Sequence, residues 1–444
     1  MHLLGILTVS AWALCAQTHP ITGDWAGTLQ AGGDSLRLAL HIQDGPEQTY
    51  RGTLDSLSQG AKGLPLASVT RDGAKVRFEV PSVGGKYEGT LSADGLAMEG
   101  EWSQGVALPL TFRRGPAAEV RRTQVPQGPF PYEEIEVMVA NPQADAVKLA
   151  CTLTVPKQGR PAPAVVLITG SGSQNRDEEI AGHKPFLVLA DHLSRNGMAV
   201  LRCDDRGYAK SSGTAATATT MDLATDAEAQ VAFLKTRSEV SARHIGLIGH
   251  SEGGLIAPIV ASRNAGVAFV VLLAGTSVPG REIILEQVQT LTRLNGMNEG
   301  AIQMALSAQT KVLDIVESEP DDAAALEKLS VIAPPNQARL LVAPWYRAFL
   351  KLDPAPYLRQ TKVPLLALFG ELDRQVLPGQ NIPPLVKALE DGHHADYTVA
   401  KLPKLNHLFQ TATTGGPGEY GSIEETIAPL ALETITRWIQ QHTK

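Results

Sequence analysis

The carboxyl-terminal part of the chain alternates short apolar runs with amphipathic segments, and this alternation restricts the possible folds more than any other feature. Residues 164–169 and 267–274 are apolar almost throughout, as expected of strands buried on both faces of a sheet. Between such runs, residues 223–236 repeat apolar side chains at helical spacing. The pattern predicts an α/β fold, a mostly parallel, doubly wound sheet with helices on both faces.

The same pattern assigns the remaining elements of this region. Residues 134–140 and 148–155 are predicted to form a hairpin ahead of the parallel strands. Further strands are predicted at residues 199–203, 244–249, 363–369 and 397–401, and further helices at residues 186–196, 252–263 and 426–441.

One segment, residues 281–352, interrupts the alternation because it contains helical spacing and no strand signal. A helical insertion at the carboxyl end of a parallel sheet would cover a site there, so we expect a lid at about residues 280–355. Trp345, Tyr346 and Phe349 lie near its end. These aromatic side chains either line an acyl-binding pocket or pack the core of the lid.

The amino-terminal part has a different pattern. Residues 20–115 contain short runs of alternating polarity separated by Gly and Asp turns, which predicts a small antiparallel β domain closed into a barrel or sandwich. The Gly-Asp-Trp motif that contains Trp25, together with Trp102, resembles lipocalin-like domains. The two tryptophans either pack the core of the domain or contact a ligand. Residues 116–131 are rich in Pro, Gly and Gln and are predicted to be a linker.

The first residues have the composition of an export signal. Residues 3–16 are apolar or small, and the run is too short to span a bilayer, which predicts a cleaved signal peptide at residues 1–16. No Lys or Arg precedes the apolar run, so a buried first strand is the alternative. Cys15 would allow a lipid anchor, although the residues before it fit that motif poorly. We therefore expect a periplasmic or secreted protein without a stable membrane span.

The net charge of the chain limits its possible partners. The net charge of −7 argues against nucleic acid or an anionic membrane as a partner.

Cys151 and Cys203 lie in apolar, strand-like runs, and we expect buried free thiols there. A bridge between them is the alternative in an oxidising compartment.

The most informative motif is Gly-His-Ser-Glu-Gly at residues 249–253. A strand-like run precedes it and a helical run follows it, which is the strand–turn–helix context of a nucleophile elbow. Ser251 would stand on the sharp turn, and glycines on both sides would prevent side-chain clashes there. The helix that follows would point its positive end at developing negative charge.

A serine hydroxyl becomes an effective nucleophile only with a base and an acid that orients the base. Asp373 follows the predicted strand 363–369, and His407 follows the last strand, so both occupy suitable places after Ser251 in the chain. Glu371 is the alternative acid, and the His393–His394 pair, in a polar loop that we expect to be solvated, is the alternative base. Turn-forming, capping or core roles are the other interpretations.

Acyl transfer also needs hydrogen-bond donors for an oxyanion. We expect the backbone N–H groups of Glu252 and of Ser171, in the Gly-rich loop after strand 164–169, to supply them. An ordinary Gly-rich turn is the alternative for Ser171. No spacing indicates a metal site, and the chemistry requires no cofactor.

Several motifs together resemble bacterial carboxylesterases of the α/β-hydrolase superfamily, near the serine-aminopeptidase-like branch, some of which carry an extra amino-terminal β domain. The motifs are GSGSQNRDE at residues 170–178, KPF at 184–186, RCDDRG at 202–207, GHSEGG at 249–254 and LNH at 405–407. The resemblance covers residues 132–444 and implies Ser251, Asp373 and His407 as a triad, with Ser171 and Glu252 as oxyanion donors. Ala209 stands where such hydrolases usually have Gly, which implies a local change in the backbone.

The resemblance and the motifs predict a serine hydrolase that cleaves small carboxylic esters of short to medium acyl chains through an acyl-serine intermediate. A peptidase or amidase on the same residues is the alternative, in which Glu252 or Glu371 would bind the substrate amine. A binding protein that acts through its β domain, with a degenerate hydrolase, is a third possibility. Asn175, Arg176 and Asp177 would line the entrance to the site or form structural hydrogen bonds.

Overall fold

The structure, a computed structural model, describes residues 19–31, 34–46, 49–118 and 120–444. The described chain divides into two compact units, of which one holds most residues up to Ala118 and the other most residues after it. The predicted signal peptide at residues 1–16 lies outside the described residues. No helix in the described ranges has an apolar stretch long enough to cross a bilayer.

The amino-terminal unit contains an antiparallel sheet, as the alternating pattern predicts. In the described residues it has nine strands in the order β4-β3-β2-β1-β9-β8-β7-β6-β5. Its strands are β1 Gly23–Ala31, β2 Asp34–Asp44, β3 Tyr50–Ser56, β4 Ala61–Pro65, β5 Ala67–Asp72, β6 Lys75–Val80, β7 Gly85–Leu91, β8 Ala97–Gln104 and β9 Val106–Arg114. The two edge strands, β4 and β5, are separated in the chain by Leu66 alone, so the sheet curves back on itself and is nearly closed.

Aromatic side chains form the core of this sheet. The rings of Phe78 and Tyr87 stack at 5.0 Å, and Phe112 meets Tyr87 edge-on at 5.2 Å. Trp25 is fully buried and donates its indole N–H to the carbonyl of Ile21 at 2.8 Å. Trp25 and Trp102 both belong to this buried cluster, which favours the packing role for the two tryptophans.

The second unit contains the predicted mixed sheet, with strand order β10-β11-β13-β12-β14-β15-β16-β17. In this order the strands from β13 to β17 run parallel to one another. Strands β10 and β11 form the expected antiparallel hairpin at one edge, and β11 is also antiparallel to β13. The bounds are β10 Tyr132–Ala140, β11 Lys148–Pro156, β12 Ala162–Ile168, β13 Ala199–Cys203, β14 Val240–His250, β15 Phe269–Leu273, β16 Leu365–Gly370 and β17 Tyr397–Leu402.

Helices pack on this sheet and extend from one end of it. Those of the sheet layers are α1 Pro185–Arg195, α2 Thr220–Lys235, α3 Gly253–Arg263, α9 Ala355–Gln360, α10 Pro378–Asp391 and α11 Pro429–His442. The insertion between β15 and β16 is helical, as predicted, and consists of α4 Gly280–Leu294, α5 Glu299–Ser318, α6 Asp322–Leu329, α7 Pro335–Leu341 and α8 Pro344–Lys351. This lid has a small apolar core of its own, which includes Leu313, Leu329 and Leu350.

The expectation of free thiols at Cys151 and Cys203 is wrong. The two residues lie opposite each other on neighbouring antiparallel strands, β11 and β13, and form a disulfide. Each strand looks like an ordinary buried strand in the sequence. The two strands are neighbours only because of the strand order in the sheet, in which β13 lies between β11 and β12.

Candidate active site

Ser251 occupies the turn between β14 and α3, at the carboxyl edge of the sheet. Its φ of 54° lies in the left-handed region, which costs energy for a residue with a Cβ. Its N–H donates to the carbonyl of Leu273 at 2.8 Å, which fixes the turn against β15. This is the strained strand–turn–helix geometry that the sequence predicts, with the hydroxyl-bearing residue at its apex.

The glycines beside Ser251 are required by backbone packing. A Cβ at Gly249 would lie 1.9 Å from the carbonyl oxygen of Gly253, and one at Gly253 would lie 2.2 Å from that of Ile168. Both obstacles are backbone atoms, so neither can rotate away as a side chain could. The turn is therefore compatible only with glycine at these two positions.

His407 and Asp373 form a buried pair on neighbouring loops. Nδ1 of His407 bonds Oδ2 of Asp373 at 2.8 Å, and the two side chains are 5% and 0% exposed. The other carboxylate oxygen of Asp373 accepts the backbone N–H groups of Gln375 and Val376. These bonds orient the imidazole so that its Nε2 is the nitrogen left for other partners.

Ser251 and His407 line the same cavity of about 420 Å³, beneath the lid. Trp345, Tyr346 and Phe349 also line it, so all three predicted lid aromatics are at the site. Phe349 is almost fully buried and stacks on Trp345 at a centroid distance of 5.3 Å. These rings therefore both pack the lid and form a wall of the cavity.

Ser171 and Glu252, whose amides are the predicted oxyanion donors, both line the cavity that contains Ser251. Ser171 follows β12 and lines the cavity, and Glu252 directly follows Ser251. Within the described ranges, neither amide donates to a protein acceptor. The neighbouring amide of Gly170 is unavailable, because it donates to Oε1 of Glu178 at 2.8 Å. Two free N–H groups thus remain beside Ser251.

The side chain of Glu252 has a role that sequence reasoning missed. Oε1 accepts the hydroxyl of Thr220 at 2.6 Å and the indole N–H of Trp345 at 2.8 Å. Burial raises the pKa of this carboxyl, which the hydrogen bonds from Thr220 and Trp345 only partly oppose. The raised pKa shifts the carboxyl toward its uncharged form, and Oε1 links the lid to the turn that carries Ser251.

A second missed group connects the oxyanion loop to His407. Oε1 of buried Glu178 accepts from Gly170 and lies 2.9 Å from Nδ1 of His250. Nε2 of His250 in turn donates to the backbone carbonyl of His407 at 3.0 Å. Burial lowers the pKa of His250, but the adjacent carboxylate of Glu178 outweighs it and the net shift is upward. Glu178 and His250 thus hold two backbone groups near Ser251, the amide of Gly170 and the carbonyl of His407.

The alternative acid and base lie elsewhere. Glu371 accepts the N–H of Lys404 at 3.0 Å and does not pair with His407. His393 is exposed, whereas His394 is buried and bonds the carbonyl of Val363 at 3.0 Å, so the expectation of a solvated loop is wrong for His394. Its burial comes from packing against the start of β16, which the polar sequence around it does not reveal.

The motif residues around Arg176 have structural roles. Arg176 pairs with Asp204 at 3.0 Å and with Glu136 at 2.7 Å, and Asp177 pairs with Arg202. Asn175 accepts the amide of Asp177 and closes a turn. The structural interpretation of this motif is therefore favoured over a place at the entrance.

Ala209, where the related hydrolases usually have Gly, has a φ of 47°. This left-handed conformation is the one that Gly adopts without strain. The alanine thus takes up a glycine-like backbone.

The geometry combines a hydroxyl on a strained turn, an imidazole oriented by a buried carboxylate and two free amides. These groups are the ones that acyl transfer through an activated serine requires.

Comparison with known proteins identifies the family of the chain. A family model described as serine aminopeptidase, S33, matches residues 184–411. Esterase EstD of Thermotoga maritima is 29% identical over 294 residues, which are 65% of this chain and 64% of that protein. The chain thus spans a little less than two thirds of the length of this curated relative.

Solved structures are similar at lower identity. An esterase of Pyrococcus furiosus is 16% identical, with a TM-score of 0.44 over 73% of this chain and 97% of that chain. A hypothetical protein from Pseudomonas aeruginosa is 16% identical, with a TM-score of 0.47 over 72% of this chain and 96% of that chain. Because the family model covers more than half of the 444 residues, the chain belongs to the serine aminopeptidase S33 family of α/β-hydrolases.

Proposed function

We propose that this protein hydrolyses small carboxylic esters of short to medium acyl chains through an acyl intermediate on Ser251. The observation that carries the proposal is the buried His407–Asp373 pair, of which His407 lines one cavity together with Ser251. The similarity to an esterase of Thermotoga maritima supports the choice of ester as the scissile bond.

In the proposed reaction, Oγ of Ser251 attacks the ester carbonyl carbon and its proton passes to Nε2 of His407. Asp373 stabilises the imidazolium, and the amides of Ser171 and Glu252 stabilise the oxyanion. The alcohol leaves with the proton from His407, and the acyl group remains on Oγ. A water molecule, deprotonated by His407, then releases the carboxylic acid and restores the serine.

An aminopeptidase is the second candidate, because the matching family is described by that activity. Recognition of a substrate amine would need an ionised carboxylate in the cavity. Among the described residues that line it, Glu252 is the only carboxylate, and burial favours its neutral form. Its Oε1 already accepts hydrogen bonds from Thr220 and Trp345. This arrangement favours an ester over an aminoacyl substrate.

The test is the turnover of p-nitrophenyl acetate and butyrate against that of aminoacyl-naphthylamides, by wild type and Ser251→Ala. We expect ester turnover by wild type, a loss of at least about 1,000-fold in the variant and little amide cleavage. Faster cleavage of the naphthylamides would establish the peptidase instead. Equal ester turnover by both proteins would reject Ser251 as the nucleophile.

We also propose that the protein works outside the cytoplasm, with residues 1–16 removed as a signal peptide. The disulfide between Cys151 and Cys203 supports an oxidising compartment. Intact-mass measurement after expression of the full chain in a bacterium tests this. A periplasmic or secreted product that lacks residues 1–16 agrees with the proposal, and a full-length cytoplasmic product contradicts it.

A further inference from the structure

A second cavity, of about 460 Å³, lies near the candidate active site, between the lid and the rest of the second unit. Ala215, Ala218 and Leu223 line it from the segment between β13 and α2 and from α2, and Leu341 and Ala343 line it from the lid. A volume in this range is typical of a small-molecule pocket. Its alanine and leucine lining suits an aliphatic occupant.

The charged groups at this cavity are already satisfied. Arg206 pairs with buried Asp226 at 2.6 Å. Asp205 accepts the hydroxyl of Thr169 at 2.8 Å and the N–H of Gln174 at 2.7 Å. Burial raises the pKa of Asp205 to about 7, which favours a less charged wall. An aliphatic chain could therefore enter this space without depriving Arg206 or Asp205 of a polar partner.

This cavity adjoins the one that contains Ser251. Trp345 and Tyr346 line both cavities, and Gly172 and Ser173 at the second cavity directly follow Ser171. Ser251 and His407 line the first cavity and not the second. The second cavity thus shares the aromatic wall with the first, lies next to the oxyanion loop and is not lined by His407.

The chemistry determines which half of an ester would point there. The leaving alcohol must receive its proton from His407, so the alcohol side of the substrate faces His407. The acyl side faces the opposite direction, past Ser171 and toward Trp345 and Tyr346. We infer that the second cavity binds the aliphatic acyl chain of the substrate, an inference that rests on the proposed esterase function.

Filling the cavity from two sides tests this inference. Ala343→Phe adds a ring from the lid, and Ala215→Phe adds one from the opposite wall. Both alanines line the second cavity and are only half-buried, so a larger side chain can be added at either position. Ala308→Phe, on the exposed side of α5, adds the same ring to the lid at a different cavity and is the matched control.

The measurement is kcat/KM for p-nitrophenyl acetate, butyrate and octanoate, which share one leaving group. In wild type we expect kcat/KM to rise by up to about fourfold per added methylene, the factor that corresponds to burying a methylene. The octanoate-to-acetate ratio should fall at least about tenfold in Ala343→Phe and Ala215→Phe. It should remain at the wild-type value in Ala308→Phe.

A second series separates the two halves of the substrate. Ethyl, butyl and octyl acetate vary the alcohol while the acyl group stays constant, and the filled variants should retain the wild-type ratios along this series. A loss confined to octyl acetate would overturn the inference and assign the cavity to the alcohol. An unchanged octanoate-to-acetate ratio in both filled variants would also overturn it.

Failure of the underlying function has a different signature. If wild type and Ser251→Ala turn over p-nitrophenyl acetate equally, the esterase proposal fails and the inference fails with it. If turnover of acetate depends on Ser251 but the ratios are unchanged, only the acyl-site inference fails. Thermal unfolding of each variant identifies any that does not fold, and the second filled variant then decides the result.

Discussion

The indole N–H of Trp345 donates to Oε1 of Glu252 at 2.8 Å and thereby joins the lid to the residue after Ser251. The same oxygen accepts the hydroxyl of Thr220 on α2. One buried carboxyl therefore connects three parts of the second unit directly beside the candidate nucleophile. This contact is one of those that join the lid to the rest of the second unit.

Two replacements of Glu252 distinguish the effect of its acceptor oxygen on stability from the effect of a negative charge. Burial favours the neutral form, so Glu252→Gln keeps the acceptor oxygen and should remain as stable as wild type. Glu252→Ala leaves the donors of Thr220 and Trp345 without their acceptor and should lower the free energy of unfolding by about 2 kcal/mol. Urea unfolding at neutral pH measures both. A glutamine variant as unstable as the alanine variant would contradict the neutral form.

Asp205 predicts a pH dependence of stability. Burial raises the pKa of its carboxyl to about 7, above the value of an unfolded chain, so the folded state retains a proton that the unfolded state releases. The stabilisation of the folded state by this proton is fully present below about pH 4 and is lost as the pH rises to about 7. Over this range Asp205 alone should lower the free energy of unfolding by up to about 1.4 kcal/mol per pH unit.

Urea unfolding of wild type and Asp205→Asn between pH 4 and 8 checks this dependence. The asparagine variant should show a shallower decline in stability over that range, because its amide does not titrate. Asp145→Asn, at an exposed position, is the control and should follow wild type. Parallel curves for all three proteins would contradict the assignment to Asp205.

Glu178 should act as a positioning residue. Its carboxylate holds the amide of Gly170 and the ring of His250, which in turn holds the carbonyl of His407. Glu178→Gln removes the negative charge that raises the pKa of His250, so the ring loses its second proton more easily. We expect kcat for p-nitrophenyl butyrate to fall about tenfold with KM changed less than threefold.

The neighbouring, more exposed Glu179 supplies a matched control for that experiment. Glu179→Gln removes the same charge from the same loop and should leave kcat unchanged. Equal losses in the two variants would attribute the effect to general electrostatics of the loop. A rise in KM alone would place Glu178 in substrate binding.

Gly253→Ala should destabilise the protein severely. The added Cβ would lie 2.2 Å from the carbonyl oxygen of Ile168, and the elbow would have to move. We expect a loss of about 3 kcal/mol or more, together with loss of activity. Gly379→Ala, where no atom lies within 4 Å of the added carbon, should change stability by less than about 1 kcal/mol. Thermal unfolding compares them.

The elements that carry local signals are predictable from the sequence. The buried runs that became β12, β13 and β16 are visible as apolar stretches, and Ser251 follows from glycines, strand and helix that are all adjacent in the chain. Asp373 and His407 follow from chain order, because loops after parallel strands share one edge of a sheet. Local patterning and topology therefore suffice to predict that Ser251, Asp373 and His407 lie at the same edge of the sheet.

Contacts that depend on distant packing are not predictable in this way. Trp345 is 93 residues from Glu252, and their contact exists only because the lid folds back to the turn that carries Ser251. The pairing of Cys151 with Cys203 needs the order of strands in the sheet, which a single sequence does not reveal. Helix α10 was also missed, since Pro383 and Pro384 lie inside it and proline normally argues against a helix.

The most direct test of the central claim is to locate the nucleophile covalently. Wild type, Ser251→Ala and His407→Ala are treated with a fluorophosphonate, and intact mass and peptide mapping identify the modified residue. We predict one adduct on Ser251 in wild type, none in Ser251→Ala and much slower labelling in His407→Ala. An adduct on another residue, or ester turnover that persists in Ser251→Ala, would contradict the account.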